Sequence, residues 1–204
     1  MIPLADAQFR ALRGFNDPEL AKMARAKHRL SHRSDPYFPE RHRLHALARA
    51  LGRRRAVDLK EFLESAEVWV RTKRRLRGDH LADLCCGHGL TGVIFALLEE
   101  DVKQVFLVDM RLLASHDQIM AAAHEVDPER AKRVQYLETA IEDVGPQLPH
   151  GTALLAVHAC GPRTDRCIDL AEQVGGPIAV MPCCYGAAAK QAPQALREAL
   201  GAHI

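Results

Sequence analysis

The stretch Ala82 to Gly92, Ala-Asp-Leu-Cys-Cys-Gly-His-Gly-Leu-Thr-Gly, places Gly87, Gly89 and Gly92 in the spacing Gly-x-Gly-x-x-Gly. Glycines so spaced let a backbone turn tightly and approach a ligand closely, and a helix that follows offers unbonded N–H groups. The chemistry implied is the cradling of a nucleotide-like cofactor. Twenty residues past Gly89, the segment Phe-Leu-Val-Asp-Met-Arg ends an apolar run at Asp109. A carboxylate at that point accepts hydrogen bonds from both hydroxyls of a ribose. Bare glycine spacing is a weak signal. A strand before it, a helix after it and an acid at this distance make it far more specific.

A second group of reactive side chains falls at the ends of other apolar runs: Cys85, Cys86 and His88, then His158 and Cys160, then Cys183 and Cys184. Thiols are small and mildly apolar, so they suit a tight floor beneath a ligand. The residue types also suit zinc, but adjacent cysteines on a strand point to opposite faces and no Cys-x-x-Cys spacing occurs, so no metal is assigned. A catalytic thiolate, with Cys160 the candidate, is the third reading.

The elements that must position these residues are legible from texture. Over residues 1–78 the pattern is helical. Asp17 and Pro18 open one helix, an Asp58/Glu61 pair of capping-box type opens another, and Gly78 is expected to close it. His-Arg-Ser-Asp-Pro-Tyr-Phe-Pro-Glu is expected to be a loop. From residue 79 short apolar runs alternate with helical stretches. Strands are expected at His-Leu-Ala-Asp-Leu-Cys-Cys, Gln-Val-Phe-Leu-Val-Asp, Arg-Val-Gln-Tyr-Leu-Glu-Thr, Thr-Ala-Leu-Leu-Ala-Val-His-Ala-Cys and Pro-Ile-Ala-Val-Met-Pro-Cys-Cys, with a last helix through Leu200. Alternation of this kind means right-handed crossovers and a parallel sheet, with ligands outside the carboxyl ends of the strands. The chain thus divides into a basic helical extension, 1–78, and a cofactor-binding α/β domain, 79–204.

Composition is that of an ordinary folded chain: 204 residues, 48% hydrophobic and 26% charged. No apolar run approaches a membrane span and no secretory signal opens the sequence, so a cytoplasmic protein with reduced thiols is expected. Charge is unevenly placed. Residues 1–80 hold 19 Lys and Arg against 10 Asp and Glu, whereas the remainder holds 9 against 16. A basic front suggests an anionic partner, with RNA the leading candidate, and the runs at Arg53–Arg55 and Lys73–Arg75 are the cations to meet phosphates. A solvated helical surface explains the same charge as readily. His28, His32, His42 and His45 read as surface residues of this front, and aromatic residues are too sparse to predict base stacking.

Taken together, these motifs resemble the class I, Rossmann-like S-adenosylmethionine (SAM) methyltransferases. Asp-Leu-Cys-Cys-Gly-His-Gly-Leu-Thr-Gly resembles their first motif, with Asp83 as the strand acid and Cys85 where a glycine usually stands. That departure is tolerable if Cys85 has ordinary strand dihedrals. Phe-Leu-Val-Asp-Met-Arg resembles their ribose segment, and Glu-Thr-Ala-Ile-Glu-Asp-Val their adenine segment. Thr139 replaces the customary acid there. Val-His-Ala-Cys-Gly-Pro-Arg-Thr-Asp and Met-Pro-Cys-Cys-Tyr-Gly resemble a branch that includes the acceptor-stem tRNA 2′-O-methyltransferases.

The resemblance implies an α/β, Rossmann-like fold and SAM bound by Asp83, Cys85, Cys86, Gly87, His88, Gly89, Asp109, Met110, Ala140, Ile141, Glu142 and His158. SAM carries no phosphates, so its loop need not trap an anion. His158 is the candidate general base, with Asp165 capping the following helix beside Thr164 or orienting His158. No Asn/Asp-Pro-Pro-Tyr motif indicates methylation of an exocyclic base amine, and the Lys-Asp-Lys-Glu set of another 2′-O-methyltransferase group is absent. A complete sheet of this class has seven strands; the sequence shows five, so the C-terminal strands are expected to be missing. Two rivals stay open: an NAD(P)-dependent oxidoreductase, and a non-catalytic RNA-binding module with a decayed cofactor pocket.

Overall fold

A computed structural model describes residues 8–25 and 28–181. Ahead of the sheet lie α1 (Pro18–Arg25), α2 (Arg43–Arg54) and α3 (Leu59–Thr72). The sheet region then runs β1 (His80–Leu84), α4 (Leu90–Leu98), β2 (Gln104–Asp109), α5 (Ser115–Val126), α6 (Pro128–Ala131), β3 (Val134–Glu138), α7 (Ile141–Val144), β4 (Ala153–Val157), α8 (Pro162–Val174) and β5 (Ile178–Met181). All five strands are parallel, in the order β3-β2-β1-β4-β5. This is the expected Rossmann-like α/β sheet, and its order reverses between β1 and β4. The segment Cys183–Cys184 and the predicted helix through Leu200 lie outside the described residues.

Strand side chains alternate between two cores, as a period of two requires. Leu81, Val105, Leu107, Ala153 and Leu155 face α4 and α5, whereas Ala82, Leu84, Phe106, Val108, Leu154 and Ala156 face α7 and α8. Helices cover both faces, which is why these strands read as unbroken apolar runs. The first core continues into the N-terminal helices through Phe15, Phe38, Leu47, Leu51 and Phe62. Among the described residues no helix is long and apolar enough to cross a membrane.

Several local expectations need correction. Helix α1 starts as read, with Asp17 Oδ1 accepting the N–H of Glu19 at 2.9 Å and of Leu20 at 3.3 Å. Asp58 stands at the N-cap of α3, but its carboxylate makes no cap bond and meets Arg29 at 3.4 Å instead. The backbone explains the choice: Arg29 and Asp58 form an antiparallel bridge that brings the guanidinium alongside. Helix α3 stops at Thr72, well before Gly78, and His32–Tyr37 is a 3-10 turn rather than an irregular loop. His45 is buried, not superficial: its Nδ1 accepts the Glu40 N–H at 3.1 Å, its ring packs edge-on against Phe38, and burial lowers its pKa. Of the Arg53–Arg55 run, Arg53 and Arg54 both pair with Glu125 of α5, and Arg55 closes α2 in a left-handed conformation. Those two cations clamp α2 onto α5.

Candidate functional site

The reversal of strand order opens a crevice above the carboxyl ends of β1 and β4, where α/β sheets place ligands. Asp83 lies beneath it on the α4 side of β1, only 2% exposed. Its Oδ2 accepts the Gly92 N–H at 2.8 Å, fixing the first turn of α4 to the strand. Burial outweighs that bond and pushes the carboxyl pKa up to about 7. Gly92 is dictated by this closeness: a Cβ there would overlap the Leu107 side chain and sit 3.1 Å from Asp83 Cβ. Gly89, at φ 82°, supplies the left-handed turn into α4.

Most of the loop's amides are already bonded. Cys86 N–H donates to Val108 O at 3.1 Å, and Gly89 N–H to Cys86 O at 2.8 Å. Gly87 N–H donates to Asp109 Oδ2 at 2.8 Å, and Leu90 N–H to His88 Nδ1 at 3.3 Å. Because Nδ1 of His88 accepts, Nε2 carries the proton and donates to Glu61 Oε1 at 2.5 Å. Burial alone would raise the Glu61 pKa, but this bond, the nearby imidazole and Arg29 hold it below the usual carboxylate range. Two further side chains brace the loop. Tyr136 Oη donates to Gly87 O at 3.3 Å and Arg111 O at 3.0 Å, and His116 Nδ1 donates to His88 O at 3.1 Å.

Cys85 departs from the strand dihedrals its sequence position called for. Its φ is 53°, in the left-handed region that glycine occupies at little cost, and this ends β1 at Leu84. Its thiol neighbours that of Cys167 of α8, and their interaction lowers the Cys85 pKa and raises the Cys167 pKa. Cys167 was not among the residues the sequence drew to this floor. Burial raises the Cys86 thiol. Cys160 sits in the turn after β4, its N–H donating to His158 O at 2.9 Å. No three His, Cys, Asp or Glu side chains among the described residues gather closely enough to hold a metal ion.

His158 follows β4 with φ 63°, a second left-handed non-glycine residue at the crevice. Its Nε2 lies 3.7 Å from Glu64 Oε2. The carboxylate beside it is therefore on α3, while Asp165 is exposed in the first turn of α8 and makes no side-chain cap bond. Thr164 Oγ1 donates to Ala159 O and holds the turn. At the other end of the crevice, Thr139 N–H donates to Asp109 O at 3.0 Å, tying β3 to β2. Met110 is 74% exposed beside Asp109. Ala140 precedes α7, which holds Ile141 and Glu142, and Glu142 pairs with Arg166 of α8.

A cavity of about 240 Å³ joins the glycine loop, Val157 and His158 to one face of α3. It contains three carboxylates, Glu61, Glu64 and Asp83, and no Lys or Arg among its described lining residues. Glu61 and Glu64 were missed by sequence reasoning: Glu61 read as a helix-start residue, and nothing near Glu64 signals a return to the crevice. A larger hollow of about 660 Å³, bordered by Arg13, Tyr37, His42 and Trp69, lies among the N-terminal helices and reaches no strand end.

Residues 55–191 match a family model described as a methyltransferase domain. The chain belongs to this methyltransferase family. The match takes in α3, the glycine loop, Asp109 and the β4 turn, so the methyltransferase domain includes the helix that supplies Glu61 and Glu64. Curated relatives are similar over a shorter stretch. The human and cynomolgus macaque (Macaca fascicularis) proteins named "Glutathione S-transferase C-terminal domain-containing protein" are 28% identical over 119 residues, 58% of this chain and 18% of theirs. The bovine protein of that name is 27% identical over the same length. The chain thus spans less than a fifth of these relatives.

Proposed function

We propose that this methyltransferase uses SAM, bound across the carboxyl ends of β2, β1 and β4, and that its acceptor is RNA, with tRNA the leading class. One observation carries the cofactor reading: most of the glycine loop's amides are satisfied internally and the adjoining cavity is acidic. A dinucleotide's pyrophosphate needs unbonded N–H groups and gains from cations. Here Asp109, His88 and Asp83 already occupy the amides of Gly87, Leu90 and Gly92, and the carboxylates of Glu61 and Glu64 line the space beside the half-titrated Asp83. A ligand without phosphates that carries positive charge suits such walls.

Asp109 keeps the loop closed through one oxygen, and its carboxylate meets the ribose hydroxyls. Exposed Met110 offers an apolar surface to the adenine, with Ala140 and Ile141 beyond it. When bound, the sulfonium of SAM supplies an already activated methyl group. The chain's own task is then alignment and proton removal, contributions on the order of 7–11 kcal/mol and 10²–10⁴-fold respectively. His158 stands at the strand end where an acceptor approaches and takes its proton. RNA is favoured by the uneven charge and by the resemblance of the β4 turn to tRNA 2′-O-methyltransferases. Arg33, Arg41, Arg74, Arg75 and Arg77 form no ion pair among the described residues, which leaves these cations for phosphates.

Calorimetry with SAM and with NADPH tests the cofactor, and Asp109→Ala should weaken SAM binding by about 100-fold. Radiolabelled SAM incubated with fractionated cellular RNA, protein and metabolites tests the acceptor. Label in the RNA fraction, lost in His158→Ala, is expected. NADPH binding without SAM binding overturns the cofactor reading; label confined to protein or metabolites overturns the acceptor.

A further inference from the structure

Glu61 and Glu64 of α3 line a cavity whose described lining includes neither Asp109 nor Met110. Glu61 and Glu64 lie one helical turn apart, so both project from the same face. Glu61 is held by His88. Glu64 stands farther along, over the end of β4, with Oε2 3.7 Å from His158 Nε2 and Oε1 3.5 Å from Lys60 Nζ. Lys60 is half exposed and one turn away on the same helix, an arrangement that neutralises little in water. Glu64 itself is about a quarter exposed, so its charge acts on the cavity with less screening.

We propose that Glu64, supported by Glu61, reads the charge of the bound cofactor, holding the sulfonium form and releasing its neutral product. This rests on the SAM reading above. In the reaction the acceptor's electron pair forms the bond to the methyl carbon, the S–CH₃ bond breaks, and its electron pair returns to sulfur. The acceptor's proton passes to His158. The cofactor loses one positive charge while its shape changes by a single methyl group. A pocket that distinguishes the two states only by contact gains little from so small a difference. A carboxylate lining the cavity that would receive the sulfonium would change its interaction outright, because the Coulomb attraction present before transfer would be absent afterwards. Product then leaves more readily than substrate, and His158, newly protonated beside Glu64, takes over as that carboxylate's partner.

The test is equilibrium binding of two probes by calorimetry. Sinefungin carries an ammonium near the sulfonium position, whereas S-adenosylhomocysteine is neutral there. The unmodified protein should bind sinefungin about tenfold more tightly, with the ratio shrinking as salt is raised. In Glu64→Gln the ratio should fall close to one, through loss of sinefungin affinity, while S-adenosylhomocysteine binding barely changes. Lys60→Ala should leave the ratio within about twofold of the unmodified protein's, because this exposed cation neutralises little. An unchanged ratio in Glu64→Gln overturns the proposal, as does a larger change in Lys60→Ala, even where both probes bind well. If neither probe binds the unmodified protein, the SAM reading itself fails and takes this inference with it.

Discussion

The two ends of the crevice are built differently. At the glycine-loop end, five backbone amides, a buried acid and the side chains of Tyr136, His116 and Glu61 hold a finished shape. At the end formed by β2 and β3, Met110 stands 74% exposed and Glu142 turns away to Arg166. One end is organised by the protein's own bonds. The other presents apolar surface that a ligand would cover. Tight binding of a flexible cofactor is served by such a division, because one rigid anchor removes most of the orientational cost before the second contact forms.

The sharpest way to break this contrast is at Asp83. Its pKa in the folded chain, about 7, lies above the ordinary aspartate value of 3.8. The folded state therefore holds a proton that the unfolded state releases, and stability falls as pH rises from 3.8 toward about 7. Asp83→Asn keeps an oxygen for the Gly92 N–H and removes the titration. Thermal melts from pH 4 to 8 should show a decline of a few kcal/mol in the unmodified protein that is missing in the variant.

Tyr136 links the two ends, since one hydroxyl reaches both Gly87 O and Arg111 O. Tyr136→Phe should loosen the loop and weaken S-adenosylhomocysteine binding by about fivefold, near 1 kcal/mol, with the sheet's hydrogen exchange unaltered. The smallest effect is expected at the open end. Met110→Ala should leave the melting temperature within error, because the side chain is solvated, yet reduce cofactor affinity by about threefold. A destabilised Met110→Ala protein would show that this end, too, is held by internal packing.

Much of the sheet was legible because both its faces are buried. Gln104–Asp109 coincides with its predicted strand residue for residue, whereas the switch between β1 and β4 came from the family resemblance, because right-handed crossovers alone do not fix a strand order. The glycine loop was legible because its backbone demands a particular residue type. Legibility stopped where a contact joins distant segments. Glu61 and His88 are 27 residues apart, and Glu64 and His158 meet only once α3 is packed beside α4. The left-handed Cys85 was hidden for another reason: its thiol neighbour, Cys167, comes from a helix 82 positions later, and no local pattern records the positive φ. The same cause misassigned the Asp58 carboxylate, where Arg29 competes with the helix amides.

Trp69, the chain's single tryptophan, rides on α3, the helix whose earlier turns wall the crevice. Its indole N–H donates to Glu99 at 2.6 Å, and the Lys73 ammonium lies 4.2 Å from the ring centre. Indole emission is sensitive to charges placed in this way; Lys73 caps α3 and travels with the ring, so a shift of α3 would move the indole against Glu99, which caps α4. Titration with S-adenosylhomocysteine, followed by tryptophan fluorescence without a label, should therefore report whether filling the crevice displaces α3.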